Sequence, residues 1–293
     1  MSSGRFPPPG ARSAHTPLAP APAGFLPTTR NGLRHVAEVM GMPWMFDICD
    51  ASVGVETLRS VIEWLHWVDA TFSTYRENSQ ISRLNRGELT REQLHADVRE
   101  VLDRCEQLRR DTGGYFDIAA PYRTRTPPAA GYGRPGSLEP SGLVKGWAIA
   151  RAARQLRDAG ASNFSVNAGG DALLCGHPDG DERWRVGIQH PRSAREIALT
   201  LGLRDLAIAT SGTYVRGAHI IDPLADGAPS GLLSVTIVGP DVAAADAYAT
   251  AAFAMGAIGA AQFCAGLDGY DAVLIRDDDT VVTTSGIDQL RCD

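Results

Sequence analysis

The residues of this 293-residue chain whose types and spacing could do chemistry are Asp246 with Thr250, Lys145, Asp171 and His219. Asp246 and Thr250 lie four apart in an Ala-rich segment, which puts an acid and a hydroxyl on one helix face. Among small side chains such a pair could hold a hard cation beside a ligand. Mg²⁺ in particular is usually bound by one or two carboxylates plus waters and substrate phosphates. On spacing alone the simpler account is a Thr bonding its own helix and an Asp complementing the helix dipole. Lys145 follows Pro140-Ser141-Gly142, at the start of a segment with helical periodicity. A helix N-terminus preceded by small residues suits a phosphate, because free N–H groups and the dipole both point there. Asp171 follows Gly169-Gly170, a second place where backbone can come close to a ligand. Each also has an ordinary reading: Lys145 as a solvated helix residue, Asp171 as a turn residue. His219, in an alternating apolar segment before Asp222-Pro223, reads singly as a packed residue or a hydrogen-bond donor.

The elements that must position these residues are legible from periodicity. Val144, Ala148, Ala152 and Leu156 recur four apart, which predicts a helix with Ser141 capping its start and Gly160 ending it. Residues 163–168 alternate and predict a half-buried strand running into Gly169-Gly170-Asp171. Upstream, 31–54 reads as two strands around Met40-Gly41-Met42-Pro43-Trp44, followed by helices at about 55–70 and 91–112 and a short helical turn at Ser79–Asn85. Downstream, Trp184-Val186-Ile188, the run from Ile197 to Leu203, and Leu233-Val235-Ile237 each predict antiparallel strands with one wet face. An Ala-rich helix is expected at about 242–255, stopping at Gly256, and a hairpin over 270–284 turning at Asp277-Asp278-Asp279. Gly131-Tyr132-Gly133-Arg134-Pro135-Gly136 matches a dinucleotide-binding fingerprint, but that motif needs a strand before it and a helix opening on it. Prolines on both sides exclude those elements here. Strands grouped with strands and helices with helices argue an α+β fold.

Composition narrows the function classes. The net charge of −6, with no offsetting basic stripe, argues against a nucleic-acid partner. No run approaches the ~20 apolar residues of a membrane span. Five cysteines, scattered and without a Cys-x-x-Cys pair, fit free thiols in a reducing compartment. The N-terminus shows neither a charged-then-apolar signal pattern nor a lipid-attachment cysteine, so a cytoplasmic protein is expected. Residues 1–30, rich in Pro, Ala, Gly and Ser, read as a disordered tail ahead of one domain over 31–293.

Taken together and in order, eight segments resemble the ApbE family, the FAD:protein FMN transferases, over about residues 35–290. They are Met40–Trp44, Phe72–Tyr75 with Ile81–Asn85, Gly114–Asp117, Ser141–Gly146, Asn167–Asp171, Ala209–Gly212, His219–Pro223 and Asp246–Thr250. The resemblance implies an ApbE-like α+β domain with antiparallel sheets and packed helices. It implies a Mg²⁺-dependent transfer of FMN from FAD to a Ser or Thr of an acceptor protein, with AMP leaving. Asp246 and Thr250 would then be metal ligands, helped by backbone oxygens near Gly142 and Ala249. Met40, Tyr75, Tyr115, Phe116, Asp117, Lys145 and the His219-Ile220 pair would line the FAD site, with Gly170 and Asp171 close to it. Either Asp246 or His219 could act as base toward the acceptor hydroxyl. Three departures stand out. Glu139-Pro140-Ser141 replaces the family's common Asp-Leu-Gly, leaving that FAD contact altered or made by Glu139. The 118–138 segment is short and Pro/Gly-rich, and the export signal of many relatives is missing. Two rivals share the same residues: a hydrolase cutting FAD to FMN and AMP, and a non-catalytic flavin-binding protein.

Overall fold

The computed structural model of the chain describes residues 26–27, 32–120, 136–178, 182–193, 195–212, 220–225 and 229–292. The first half comprises β1 (Leu26–Pro27), β2 (Leu33–Val39), β3 (Met42–Ile48), α1 (Val55–Phe72), α2 (Gln80–Asn85), α3 (Ala96–Asp111) and α4 (Ser141–Asp158). The second comprises β4 (Phe164–Ala168), β5 (Asp171–Cys175), β6 (Trp184–Gln189), β7 (Ile197–Leu203), β8 (Leu206–Gly212), β9 (Leu232–Gly239), α5 (Val242–Ala254), α6 (Gly256–Ala265), β10 (Asp271–Arg276), β11 (Val281–Thr283) and α7 (Ile287–Leu290). The strands make one nine-stranded sheet, ordered β1-β2-β3-β4-β5-β8-β9-β10-β11, and a separate ribbon of β6 with β7. Neighbours pair antiparallel throughout. The fold is α+β, and no described helix is long and apolar enough to cross a membrane.

Helices α1, α4 and α5 cover one face of the large sheet, where Phe46, Phe164, Leu58, Leu65, Ile149 and Leu156 are wholly buried. The ribbon and α7 cover the opposite face of β5, β8, β9 and β10 through Trp184, Leu201, Leu203 and Ile287. A strand between two such layers has no wet face. This overturns the one-sided reading of β9, which is buried along nearly its whole length.

The turns follow from backbone chemistry. Met40-Gly41 joins β2 to β3 with φ of 56° and 71°, the pair of positive values that a two-residue hairpin turn requires. Gly169-Gly170 (φ 58° and 99°) joins β4 to β5 in the same way. The predicted hairpin at the end of the chain is present as β10 and β11 around residues 277–279.

Several expectations shift. The helix placed at 91–112 is split: a single 3₁₀ turn at Arg91–Gln93 precedes α3, which is capped where His95 Nδ1 accepts from Asp97 N at 3.2 Å. Ser141 is the first residue of α4 rather than its cap. Instead Glu139 Oε1 accepts from Ser141 N at 3.2 Å, so a carboxylate one residue further out does the work. Gly160 (φ 93°) ends α4 as expected, with Ala161 N donating to Leu156 O at 3.0 Å. Gly256 (φ 69°) ends α5, but the chain re-enters a helix at once as α6. Strands β5 and β8 were not foreseen. Of the tail, Leu26–Pro27 pair with β2, and the rest of 1–31 lies outside the described residues, as does nearly all of the glycine fingerprint at 131–136.

Helix α5 is apolar all round and buried from Val242 to Ala247 and again from Ala251 to Ala254, as a helix sandwiched between α4 and the sheet must be. Its contact with α4 is backbone to backbone. A Cβ built on Gly146 would lie 2.8 Å from both Ala243 Cα and Val242 O. Gly146→Ala would gain up to about 1 kcal/mol of intrinsic helix preference. The clash meets main chain, which cannot rotate away, so the net effect is a loss of roughly 1–3 kcal/mol. Urea denaturation should show a lower midpoint at unchanged slope; an equal or higher midpoint would refute the close approach of the two helices.

Candidate functional site

At the junction of α4, α5 and the sheet lies an open cleft of about 380 Å³. Its floor is ionic. Lys145, one turn into α4, is ion-paired with Asp171 at the start of β5, and its Nζ lies 3.5 Å from Asp246 Oδ1 on α5. Three elements thus each deliver one charged group to one point. Asp171 is 1% exposed and its Oδ1 accepts from Thr210 N at 3.0 Å, which locks the turn after Gly170 to β8. Asp246 is 4% exposed, and its Oδ2 has no hydrogen-bond partner among the described residues. Burial pushes the Asp246 carboxyl up from its ordinary range; Lys145 pulls it back and the Asp171 charge adds to the rise. A buried carboxylate with one orphaned oxygen and half a share of a lysine is short of positive charge.

One turn along α5, Thr250 Oγ1 lies 3.1 Å from Ser211 Oγ on β8, so the hydroxyl sits in the same wall as Asp246. Opposite them, Gly142 in the first turn of α4 lies against the Phe116 ring, 3.4 Å from where a Cβ would be. A side chain there would press on the ring and narrow the cleft. Among the described residues no three His, Cys, Asp or Glu converge to hold an ion. A cation at this point would therefore have one carboxylate and neutral oxygens from the protein. That set suits a hard ion whose remaining ligands are waters and the phosphates of a bound molecule.

The entrance is built by Tyr115, Phe116 and Asp117, which follow α3 through Gly113 (φ 61°) and Gly114 (φ 92°). Phe116 N donates to Thr112 Oγ1 at 2.9 Å, and Asp117 Oδ1 accepts from Ala119 N at 2.8 Å. Glu139 stands where α4 begins and accepts from Thr74 Oγ1 at 2.5 Å as well as from Ser141 N. It ties the segment after α1 to the start of α4.

The structure brings together most of the residues singled out in the sequence. Tyr115, Phe116, Asp117, Glu139, Gly142, Lys145, Gly170, Ile220, Asp246 and Thr250 all line the cleft. Asp171 lies beneath it, bonded to Lys145. Ala249 is fully buried on α5 next to Thr250. Met40 and Tyr75 do not line the cleft: Met40 is half-buried in the β2–β3 turn, packed on the core, and Tyr75 is 78% exposed after α1. His219 falls outside the described residues. Sequence reading marked Ala209–Gly212 as a segment but gave Thr210 and Ser211 no place in the site, and it missed Val186 to Gln189 on β6; both stretches line the cleft. Strand residues of ordinary type carry no local signal of what they face; only the pairing of β5 with β8 puts Thr210 beside Asp171.

The ApbE family model matches residues 40–125 and 130–274. A FAD:protein FMN transferase of Treponema pallidum is 29% identical over 213 residues, 66% of this chain and 58% of its own length. One from Haemophilus influenzae is 25% identical over 270 residues, 74% of this chain and 78% of its own. One from Vibrio cholerae is 36% identical over 130 residues, so this chain spans 58% and 38% of the Treponema and Vibrio relatives. The solved flavin transferase ApbE of Vibrio cholerae superposes with a TM-score of 0.75 at 23% identity, covering 88% of this chain and 99% of that one. The ApbE protein of Thermotoga maritima does so with 0.78 at 20% identity, covering 89% and 100%. The fold, the order of the segments around the cleft and the span of the match agree: the chain belongs to the ApbE family.

Proposed function

We propose that the cleft binds FAD and that the protein transfers its FMN half to a Ser or Thr hydroxyl of an acceptor protein. The observation that carries this reading is the buried Asp246 with its orphaned oxygen, set beside Thr250 and the Lys145–Asp171 pair. Mg²⁺, held by Asp246 and Thr250 with backbone oxygens near Gly142 and Ala249, would neutralise charge developing on the transferring phosphoryl group. Lys145 supplies a second, fixed positive charge at the same point and is ion-paired with Asp171 beneath the diphosphate. Gly142 and Gly170, carrying no side chains, let main chain approach the phosphates. Tyr115 and Phe116 offer aromatic surface to the flavin or adenine ring, and Asp117 and Glu139 offer acceptors for ribose or base N–H and O–H groups.

The chemistry needs little covalent help. The acceptor oxygen bonds to the FMN phosphorus as the phosphorus–oxygen bond to the AMP phosphate breaks, and AMP leaves with that electron pair. Positioning and charge neutralisation are the main requirements of such a displacement. The hydroxyl proton passes to a base, for which Asp246 and His219 are the two candidates in this chain. All five cysteines are free thiols, three of them buried, which supports a reducing compartment and a cytoplasmic enzyme.

Incubating the protein with FAD, Mg²⁺ and a candidate acceptor should add the mass of FMN to the acceptor, and chelating the metal should abolish the gain. FMN and AMP free in solution, with the acceptor unchanged, would favour the FAD-cleaving hydrolase; bound FAD with no turnover would leave a binding protein.

Asp246→Ala should lower the Mg²⁺-dependent rate by roughly 100-fold or more. The variant should still unfold in one cooperative thermal transition, because Lys145 keeps its ion pair with Asp171 and Asp246 Oδ2 has no hydrogen-bond partner to lose. A wild-type rate in that variant would sink the metal assignment.

Lys145→Met should destabilise the fold by roughly 3–5 kcal/mol, since it strands the Asp171 charge under the cleft. The double change Lys145→Met with Asp171→Asn should recover much of that stability while leaving the transfer rate low. Full recovery of rate in the double variant would reduce the pair to a structural role.

A further inference from the structure

The two edges of the β6–β7 ribbon are not alike. On the outer edge of β7, Cys292 N donates to Thr200 O at 3.1 Å, and Leu201 bridges Arg291. A strand residue aims its N–H and C=O to one side, so Thr200 turns both away from β6. Gly187 stands directly opposite Thr200 in the register. Opposed residues of an antiparallel pair either face each other or both face outward. Gly187 therefore aims its N–H and C=O away from β7, while Val186 and Ile188 spend theirs on the ladder.

That outward direction is the cleft. Val186, Gly187, Ile188 and Gln189 all line it. Side chains alternate faces along a strand, so four consecutive residues at one wall mean that the backbone edge borders the space. Among the described residues no other segment hydrogen-bonds to the outward groups of Gly187. Sheet edges are normally blunted by Lys, Pro or inward-pointing charge, and this stretch carries none of them. Its middle residue is glycine, where a second backbone can come close.

We propose that this edge takes an extended segment of the acceptor protein as an added strand, delivering its Ser or Thr hydroxyl into the cleft. The inference rests on the FMN-transfer reading of the cleft. Main-chain bonds supply the affinity in such an addition, and pockets for alternate side chains supply the choice of partner. The hydroxyl then arrives on a strand whose register is fixed by Gly187, facing the wall that holds Lys145 and Asp246.

The test uses the intact protein with FAD and Mg²⁺ and a synthetic peptide spanning the flavinylated hydroxyl of the acceptor, N-methylated at one residue at a time. Transfer should fall on the order of tenfold at every second residue, where the methyl removes a bond to the edge. It should hold at the unmodified level at the residues between. In hydrogen exchange followed by NMR, the Gly187 amide should exchange quickly in the free protein and slowly in the complex with the acceptor. The Val186 and Ile188 amides should be protected in both. A flat methylation profile with an active parent peptide, or an unprotected Gly187 amide in the acceptor complex, overturns the added strand and leaves the transfer reading intact. Absence of transfer to peptide and whole acceptor alike, with FAD bound, overturns the transfer reading itself. A Gly187 amide already protected in a dimer of the free protein gives the edge to a second copy and overturns the proposal.

Discussion

The structure depends on one close contact, the meeting of α4 and α5 at Gly146. With no side chain between them, the two helices approach until main chain touches main chain. Lys145 is the residue just before it, and that approach is what brings its Nζ within reach of an acid on the neighbouring helix. It also buries α5 so thoroughly that Asp246 becomes a carboxylate in a nearly all-alanine environment. Burial alone would drive such a group to neutrality; the lysine and any bound cation keep the charged form within reach. Packing and electrostatics are therefore one device here. The tighter the helices pack, the more the acid needs a positive partner.

Around that contact the sheet works as a frame. The hairpin turn at Gly169-Gly170 places Asp171 at the mouth of β5, and the pairing of β5 with β8 puts a backbone N–H of Thr210 on its carboxylate. The Lys145–Asp171 pair is consequently fixed by three elements far apart in sequence. Glu139 performs a similar service at the rim. It accepts from the first residue of α4 and from Thr74, so one carboxylate both complements the helix start and ties down the chain leaving α1. Its two carboxylate oxygens are divided between these partners, Oε1 on Ser141 N and Oε2 on Thr74 Oγ1.

The sequence was most readable where a short stretch imposes its own geometry. Glycine marked the turns at Met40-Gly41 and Gly169-Gly170 correctly, and the four-residue spacing of Asp246 and Thr250 correctly put both on one side of α5. Periodicity found α1, α4 and the strands β4, β6 and β7, while alanine content and turn residues found α5 and β10. It failed at β5, whose five residues are all buried and so show no alternation, and at β8, where small residues give little contrast between faces. It failed again at α6, because a glycine that ends one helix carries no notice that another begins. That Thr210, Ser211 and the β6 residues Val186 to Gln189 line the cleft was not legible, for a deeper reason. What a strand residue faces is decided by which strand pairs with it, and that information is spread over the whole chain.

In the order of the large sheet, β5 and β8 are neighbours, although the β6–β7 ribbon lies between them in sequence. The ribbon is thus an excursion: the chain leaves the sheet at Cys175, builds a two-stranded flap over its far face, and returns at Leu206 into the adjoining position. None of the strand pairing in the frame that holds Lys145, Asp171 and Asp246 runs through the ribbon, which packs on that frame through its side chains. The charged groups sit on the sheet and on helices packed against it, while one wall of the same cleft belongs to a two-stranded flap outside the sheet's hydrogen-bond ladder.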